Sequence, residues 1–275
     1  PAIKQGISDL HKNGKKVTLS FIPGSANDMW GAGDAWFAKF KIACQKIMTE
    51  WDIDGFDWDC ETNGCPPVSC VSNECAGSDC WQENSCKVWV LNFFKTLKQL
   101  KPNPGRGNSD NTPIVTWTGE LTWQLEPLQS AEPYLPYVDY FLTMNENYSI
   151  FDPAQLYQMA VKFSKDKKWP INRIVLGVKA GGCMPGSNGD GANVEQIQKL
   201  MTTTVNGSQT LTDICGGWSL WNISRDYGCK YGRTQTLVDG SNTCYTCKSG
   251  DCPTGIGSFT AGRWEFLDLF NSIKN

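Results

Sequence analysis

Asp57, Asp59 and Glu61 recur at every second position, with Phe56, Trp58 and Cys60 between them. Side chains two apart on a β-strand share a face. The run therefore predicts three carboxyl groups stacked on one side and bulky apolar groups on the other. Carboxyl groups that close cannot all ionise freely, so at least one should titrate above the ordinary range. Such a group is suited to general acid catalysis. Other chemistries fit parts of the run. Asp52-Ile53-Asp54-Gly55 resembles the start of a calcium loop, but Glu61 falls too early for that loop's last ligand. Ile53, Phe56 and Trp58 also demand burial rather than an exposed loop. A metal-binding D-x-D leaves Glu61 without a role, and a solvated acidic run leaves the apolar residues unexplained.

The rest of the composition narrows the chemistry. His11 is the only histidine, and it lies in a polar Lys/Asn context. Ser-His-Asp and Cys-His catalysis, and histidine-ligated zinc, need a residue the chain hardly supplies. Acid–base work falls to carboxylates, and no metal or cofactor is expected. The net charge of −3 and the lack of a basic block argue against a nucleic-acid partner. No apolar run reaches the length of a membrane span. No signal peptide is apparent, and Pro1 reads as a mature start.

Thirteen cysteines are many for this length, and most cluster. Cys60, Cys65, Cys70, Cys75, Cys80 and Cys86 fall in one segment; Cys229, Cys244, Cys247 and Cys252 fall in another. Disulfide stapling in an oxidising, extracellular compartment is the expected reading. Cys244-x-x-Cys247 as half of a zinc site is the alternative. The odd cysteine implies a free thiol or a partner outside this sequence. Asn206-Gly207-Ser208 is a surface glycosylation acceptor in pattern.

Positioning the carboxylates requires a scaffold, and strands alternate with helices from end to end. Helical patterns cover 2–12 (with Ile3, Ile7 and Leu10 on one face), 36–48, 88–100, 154–163, 194–203 and 264–273. Strands are expected at 17–22, along the carboxylate run, and at 114–118, 138–144, 173–178 and 215–223. No linker marks a second domain, so 1–275 reads as a single domain. Alternation with buried strands implies a parallel α/β sheet. Six strands fall short of an eight-stranded barrel, which needs two more strands and about sixty more residues. Either the sheet is open and doubly wound, or a β-α-β unit preceding Pro1 is missing. A helix opening the chain favours the second.

Asp54-Gly55-Phe56-Asp57-Trp58-Asp59-Cys60-Glu61 resembles, letter for letter, the D-G-x-D-x-D-x-E signature of glycoside hydrolase family 18, the chitinase-like (β/α)8 TIM barrels. Residues 16–20 followed by Pro23-Gly24 look like that family's third strand, with its usual S-x-G-G ending altered. Residues 216–226 are similar to its eighth strand, with the characteristic tryptophan at Trp221. This placement implies an N-terminally incomplete barrel with its first two strands missing. In such barrels catalytic groups lie at C-terminal strand ends.

The resemblance implies a substrate-assisted, retaining mechanism. Glu61 would protonate the glycosidic oxygen, and the 2-acetamido oxygen of the substrate would attack the anomeric carbon. Asp59 would orient the acetamido group and stabilise the oxazolinium, while Asp57 would exchange a proton or hydrogen bond with Asp59. Asp54 would shape the strand rather than touch sugar. Trp221 would floor the cleft, with Trp30, Trp81, Trp117, Trp123 and Trp218 as further sugar-packing candidates. At the sixth strand the family ends M-x-Y-D or Y-N, whereas this chain reads Met144-Asn145-Glu146-Asn147-Tyr148. Direct alignment puts Glu146 at the acetamido-contacting tyrosine and Asn147 at the aspartate; a bulge would deliver Tyr148 instead. The sequons at Asn147 and Asn222 are expected to stay unmodified. The disulfide-rich segments would wall the catalytic face.

The implied partner is an N-acetylglucosamine-containing polysaccharide or glycan. Endo-hydrolysis of β-1,4 bonds in chitin leads. An endo-β-N-acetylglucosaminidase acting on N-glycans and a non-catalytic carbohydrate-binding or structural barrel are the rivals.

Overall fold

The computed structural model describes residues 2–21, 34–59, 86–119, 130–144, 152–179 and 194–221. By Cα proximity the chain divides into two compact units, Pro1–Leu142 with Phe163–Arg173, and Thr143–Lys162 with Ile174–Asn275.

In the first unit, α1 (Ala2–Lys12) leads to β1 (Thr18–Phe21), α2 (Asp34–Trp51), β2 (Gly55–Asp59), α3 (Cys86–Lys98), β3 (Ile114–Gly119) and all but the last residue of β4 (Tyr140–Thr143). The strands pair in the order β1-β2-β3-β4. β1 and β2 run parallel with Ser20 opposite Asp57, and β2 and β3 run parallel with Asp57 opposite Thr116. Each helix returns the chain to start the next strand in the same direction, as parallel pairing requires.

β2 is buried on both faces. The Phe56 and Trp58 side packs into an aromatic core: Trp58 lies 5.2–5.4 Å from Phe93, Phe94 and Trp117, ring centre to ring centre. Trp117 continues to Tyr134 and Trp169 at 5.5 and 6.3 Å. Trp117 is 1 % exposed, so this sugar-packing candidate is a core residue instead. The expected apolar face of α1 is also corrected. Ile7 is buried, but Ile3 is 67 % and Leu10 47 % exposed. The inward residue one turn after Ile7 is His11, whose side chain is 4 % exposed.

The second unit holds α4 in part (Pro153–Lys167), β5 (Ile174–Lys179), α5 (Val194–Thr202), β6 (Thr204–Asn206), β7 (Gln209–Thr210), the single turn α6 (Leu211–Ile214) and β8 (Gly217–Trp221). β5 and β8 pair in parallel around Leu176 and Val178. β6 and β7 form an antiparallel hairpin that the periodicity did not predict, turning at Gly207 with φ +60°. Gly207-Ser208, the two residues between the strands, is the turn signal that could have found it. Asn206 lies exposed on that hairpin. Among the described residues, no helix is long and apolar enough to cross a membrane.

Gly55 is a steric requirement. A Cβ there would stand 1.8 Å from the Ile114 carbonyl oxygen of β3. Gly55→Ala must separate β2 from β3, and is expected to cost about 3 kcal/mol or more, read as a lowered midpoint in urea unfolding.

Candidate active site

The carboxylate strand divides into two halves with different duties, beginning with Asp54. It sits just before β2, is fully buried, and is held from several directions. Its Oδ2 accepts the Val17 N–H at 2.7 Å and lies 2.8 Å from His11 Nε2. Its Oδ1 accepts the Gly107 N–H at 2.8 Å and lies 3.3 Å from Lys16 Nζ. Gly107 has φ +74°, and a Cβ there would meet the Thr112 carbonyl oxygen at 2.2 Å. His11 Nδ1 reaches towards Asp52 Oδ2 at 3.4 Å, and Arg106 donates to that oxygen from Nε and Nη2. Burial pushes the Asp54 carboxyl up, but the Val17 and Gly107 amides, with His11 and Lys16, overcome it and hold the group below its ordinary range. Asp54 is thus a structural anchor, as expected. His11 was not foreseen as its partner, because a partner 43 residues away leaves no local pattern.

Asp57 and Asp59 lie on the opposite side of β2 from Phe56 and Trp58. They are 9 % and 7 % exposed. Asp57 is gripped by hydroxyl groups alone among its described donors. Thr116 and Thr118 donate to Oδ1 at 2.6 and 2.9 Å, and Ser20 donates to Oδ2 at 2.9 Å. The expected rise in titration point falls on Asp57, and its cause is burial. The three hydroxyl bonds favour the anion and oppose the rise without cancelling it. A buried carboxyl raised by desolvation is suited to sharing a proton. Asp59 is the last residue of β2, opposite Thr118 on β3.

Glu61 follows Asp59 outside the described residues, as do Cys60, Glu146, Asn147, Tyr148, Trp30, Trp81, Trp123 and Asn222. Cys65–Cys80 and the cysteines from 229 to 252 also lie outside them. Trp221 is the last residue of β8, opposite Lys179 on β5. Met144 follows β4 and is 7 % exposed. Trp218 is half-buried and donates its indole N–H to Thr212 Oγ1 at 3.1 Å. The described cysteines Cys44 and Cys215 are buried free thiols outside both clusters, each pushed up to about 12 by burial. No metal-binding group of three or more His, Cys, Asp or Glu occurs among the described residues.

By sequence the chain matches no family model and no curated protein. By structure it is similar to a GH18 chitinase from Pseudoalteromonas aurantia, at 15 % identity and TM-score 0.56 over 81 % of this chain and 76 % of that one. The GH18 chitinase ChiB of Flavobacterium johnsoniae matches at 15 % identity and TM-score 0.53, over 98 % and 79 % of the two chains. An endo-β-N-acetylglucosaminidase from Cordyceps militaris matches at 18 % and 0.51, over 98 % and 73 %. The fold is GH18 chitinase-like.

Opposite shifts on one strand give opposite pH dependences. Asp54, held low, stabilises the fold above the unfolded carboxylate range and loses that contribution as pH falls through its folded value. Asp57, held high, favours the fold when protonated, and that contribution is lost as pH rises. Asp57→Asn should therefore unfold at the same or a higher temperature than the native protein at pH 7. Asp54→Ala, which strips buried donors of their acceptor, should lose roughly 3–5 kcal/mol. Thermal and urea unfolding of both variants check the contrast.

Proposed function

We propose that the chain is a retaining glycoside hydrolase that cuts β-1,4 bonds within N-acetylglucosamine polymers, with catalysis assisted by the substrate's 2-acetamido group. The observation that carries this reading is the pair Asp57 and Asp59, buried side by side towards the C-terminal end of a parallel strand whose sequence continues to Glu61. Residues 1–275 form one catalytic domain, and its parallel sheet belongs to a (β/α)8 barrel. The GH18 chitinase-like fold supports that architecture.

Glu61 donates its proton to the leaving glycosidic oxygen. The acetamido oxygen of the sugar on the other side of the bond closes onto the anomeric carbon, giving an oxazolinium. Asp59 holds the acetamido N–H and balances the positive charge that develops. Asp57, one step back along the same face, shares a proton with Asp59. Water then opens the ring on the original face, and Glu61 takes up the water's proton. Two displacements restore the starting anomeric configuration.

Trp221 packs against the apolar face of the sugar, and Met144, Glu146, Asn147 and Tyr148 line the acetamido side. The protein is secreted, carries disulfides in its cysteine-rich segments, and is glycosylated at Asn206, whose exposed hairpin is accessible to a transferase. Release of N-glycans is the second reading, favoured by the fold likeness to the Cordyceps militaris enzyme.

The deciding experiment incubates native protein and Glu61→Gln with chitin oligosaccharides and with a high-mannose glycopeptide, followed by product masses. Native protein is expected to cut the oligosaccharides, and Glu61→Gln to fall by about 10²–10⁴-fold. Cleavage of the glycopeptide alone selects the second reading. Binding of either substrate without cleavage leaves a carbohydrate-binding barrel.

A further inference from the structure

The hydroxyl groups around Asp57 are distributed unevenly. Thr116 and Thr118, both on β3, donate to the same oxygen, Oδ1. A carboxylate oxygen offers about two lone-pair positions, so these two bonds fill Oδ1. Oδ2 accepts only Ser20 among the described residues. Among the described residues, then, Oδ1 is occupied and Oδ2 keeps a position for a proton.

From this geometry we infer that Thr116 and Thr118 are positioning residues that fix the Asp57 carboxyl and direct its proton to Oδ2. Register explains why both can serve. Thr116 lies opposite Asp57 on β3, and Thr118, two residues on, shares its face. Both threonine hydroxyls keep donating to Oδ1 whether Asp57 is charged or neutral. Ser20 fills one of the two positions on Oδ2, so a proton can take the other without any of the three hydroxyls turning. Asp57 thus changes charge without changing rotamer, inside a site where burial alone disfavours the anion.

A purely structural role would need only that the buried carboxylate be satisfied, and it would not matter which oxygen each hydroxyl served. The role in proton sharing rests on the hydrolase reading above, whereas the assignment of the proton can be tested without it.

The test is a ¹³C-carboxyl NMR titration of Asp57 in the native protein, Thr116→Val, Thr118→Val and Thr116→Ser. It is paired with neutron diffraction of the native protein at acidic pH and with pH–rate profiles on chitin oligosaccharides. Each valine should raise the Asp57 titration point by about one to two pH units, and the acidic limb of the profile should move with it. Thr116→Ser should restore both, and deuterium should appear on Oδ2. Valine variants that remain folded and titrate like the native protein, or deuterium on Oδ1, would overturn the inference. Shifted titrations in the valine variants, with a native protein that cleaves nothing, would instead remove the hydrolase reading and leave the proton assignment standing.

Discussion

A strand can present carboxylates to a reaction only if something else holds that strand, and here the holding group is Asp54. Its buried carboxylate gathers the Val17 and Gly107 amides together with His11 and Lys16. Meanwhile its own backbone N–H donates to the Val17 carbonyl and its carbonyl accepts from Ile114. One residue thus ties the start of β2 to the starts of β1 and β3. The device recurs one pair further along. Asp139, just before β4, accepts the Val115 N–H with its carboxylate, donates its N–H to the Val115 carbonyl, and pairs with Lys98. Both aspartates replace the first rung of a parallel ladder with a charged hydrogen bond, roughly twice as strong as a neutral one.

With the strand pinned at that end, the register puts Ser20, Asp57 and Thr116 in one row. The same four-residue span carries two carboxyl groups in contrasting settings. Asp54 is surrounded by amides, an imidazole and the Lys16 ammonium, and is held below its ordinary range. Asp57 is surrounded by hydroxyls and buried, and is pushed the other way. Hydroxyls satisfy a carboxylate without supplying charge, and that is the difference. The first group contributes order to the fold, and the second contributes a proton site at some expense to it.

Much of this was legible in the letters. The alternation of apolar and acidic residues from Phe56 to Asp59 announced a strand with two unlike faces, and every strand expected within the described residues formed within a few residues of its expected bounds. The D-G pair is now explained by a close backbone approach at Gly55 and by anchoring at Asp54. The letters could not reveal long-range partners. His11 stands in a polar Lys/Asn context that gives no hint of a carboxylate 43 positions away, and Trp117, a candidate for sugar packing by residue type, is enclosed by Trp58, Phe94, Tyr134 and Trp169. The β6–β7 hairpin escaped notice because strands of three and two residues are too short to show a period.

The proposed reaction, with attack by the substrate's acetamido group followed by attack of water, requires that cleavage retain the anomeric configuration. The direct measurement is the anomeric form of the first product, followed by ¹H NMR during cleavage of a chitin oligosaccharide before mutarotation sets in. The account predicts β product first, with the α form growing in later. Initial α product would mean single displacement by water and would contradict the account.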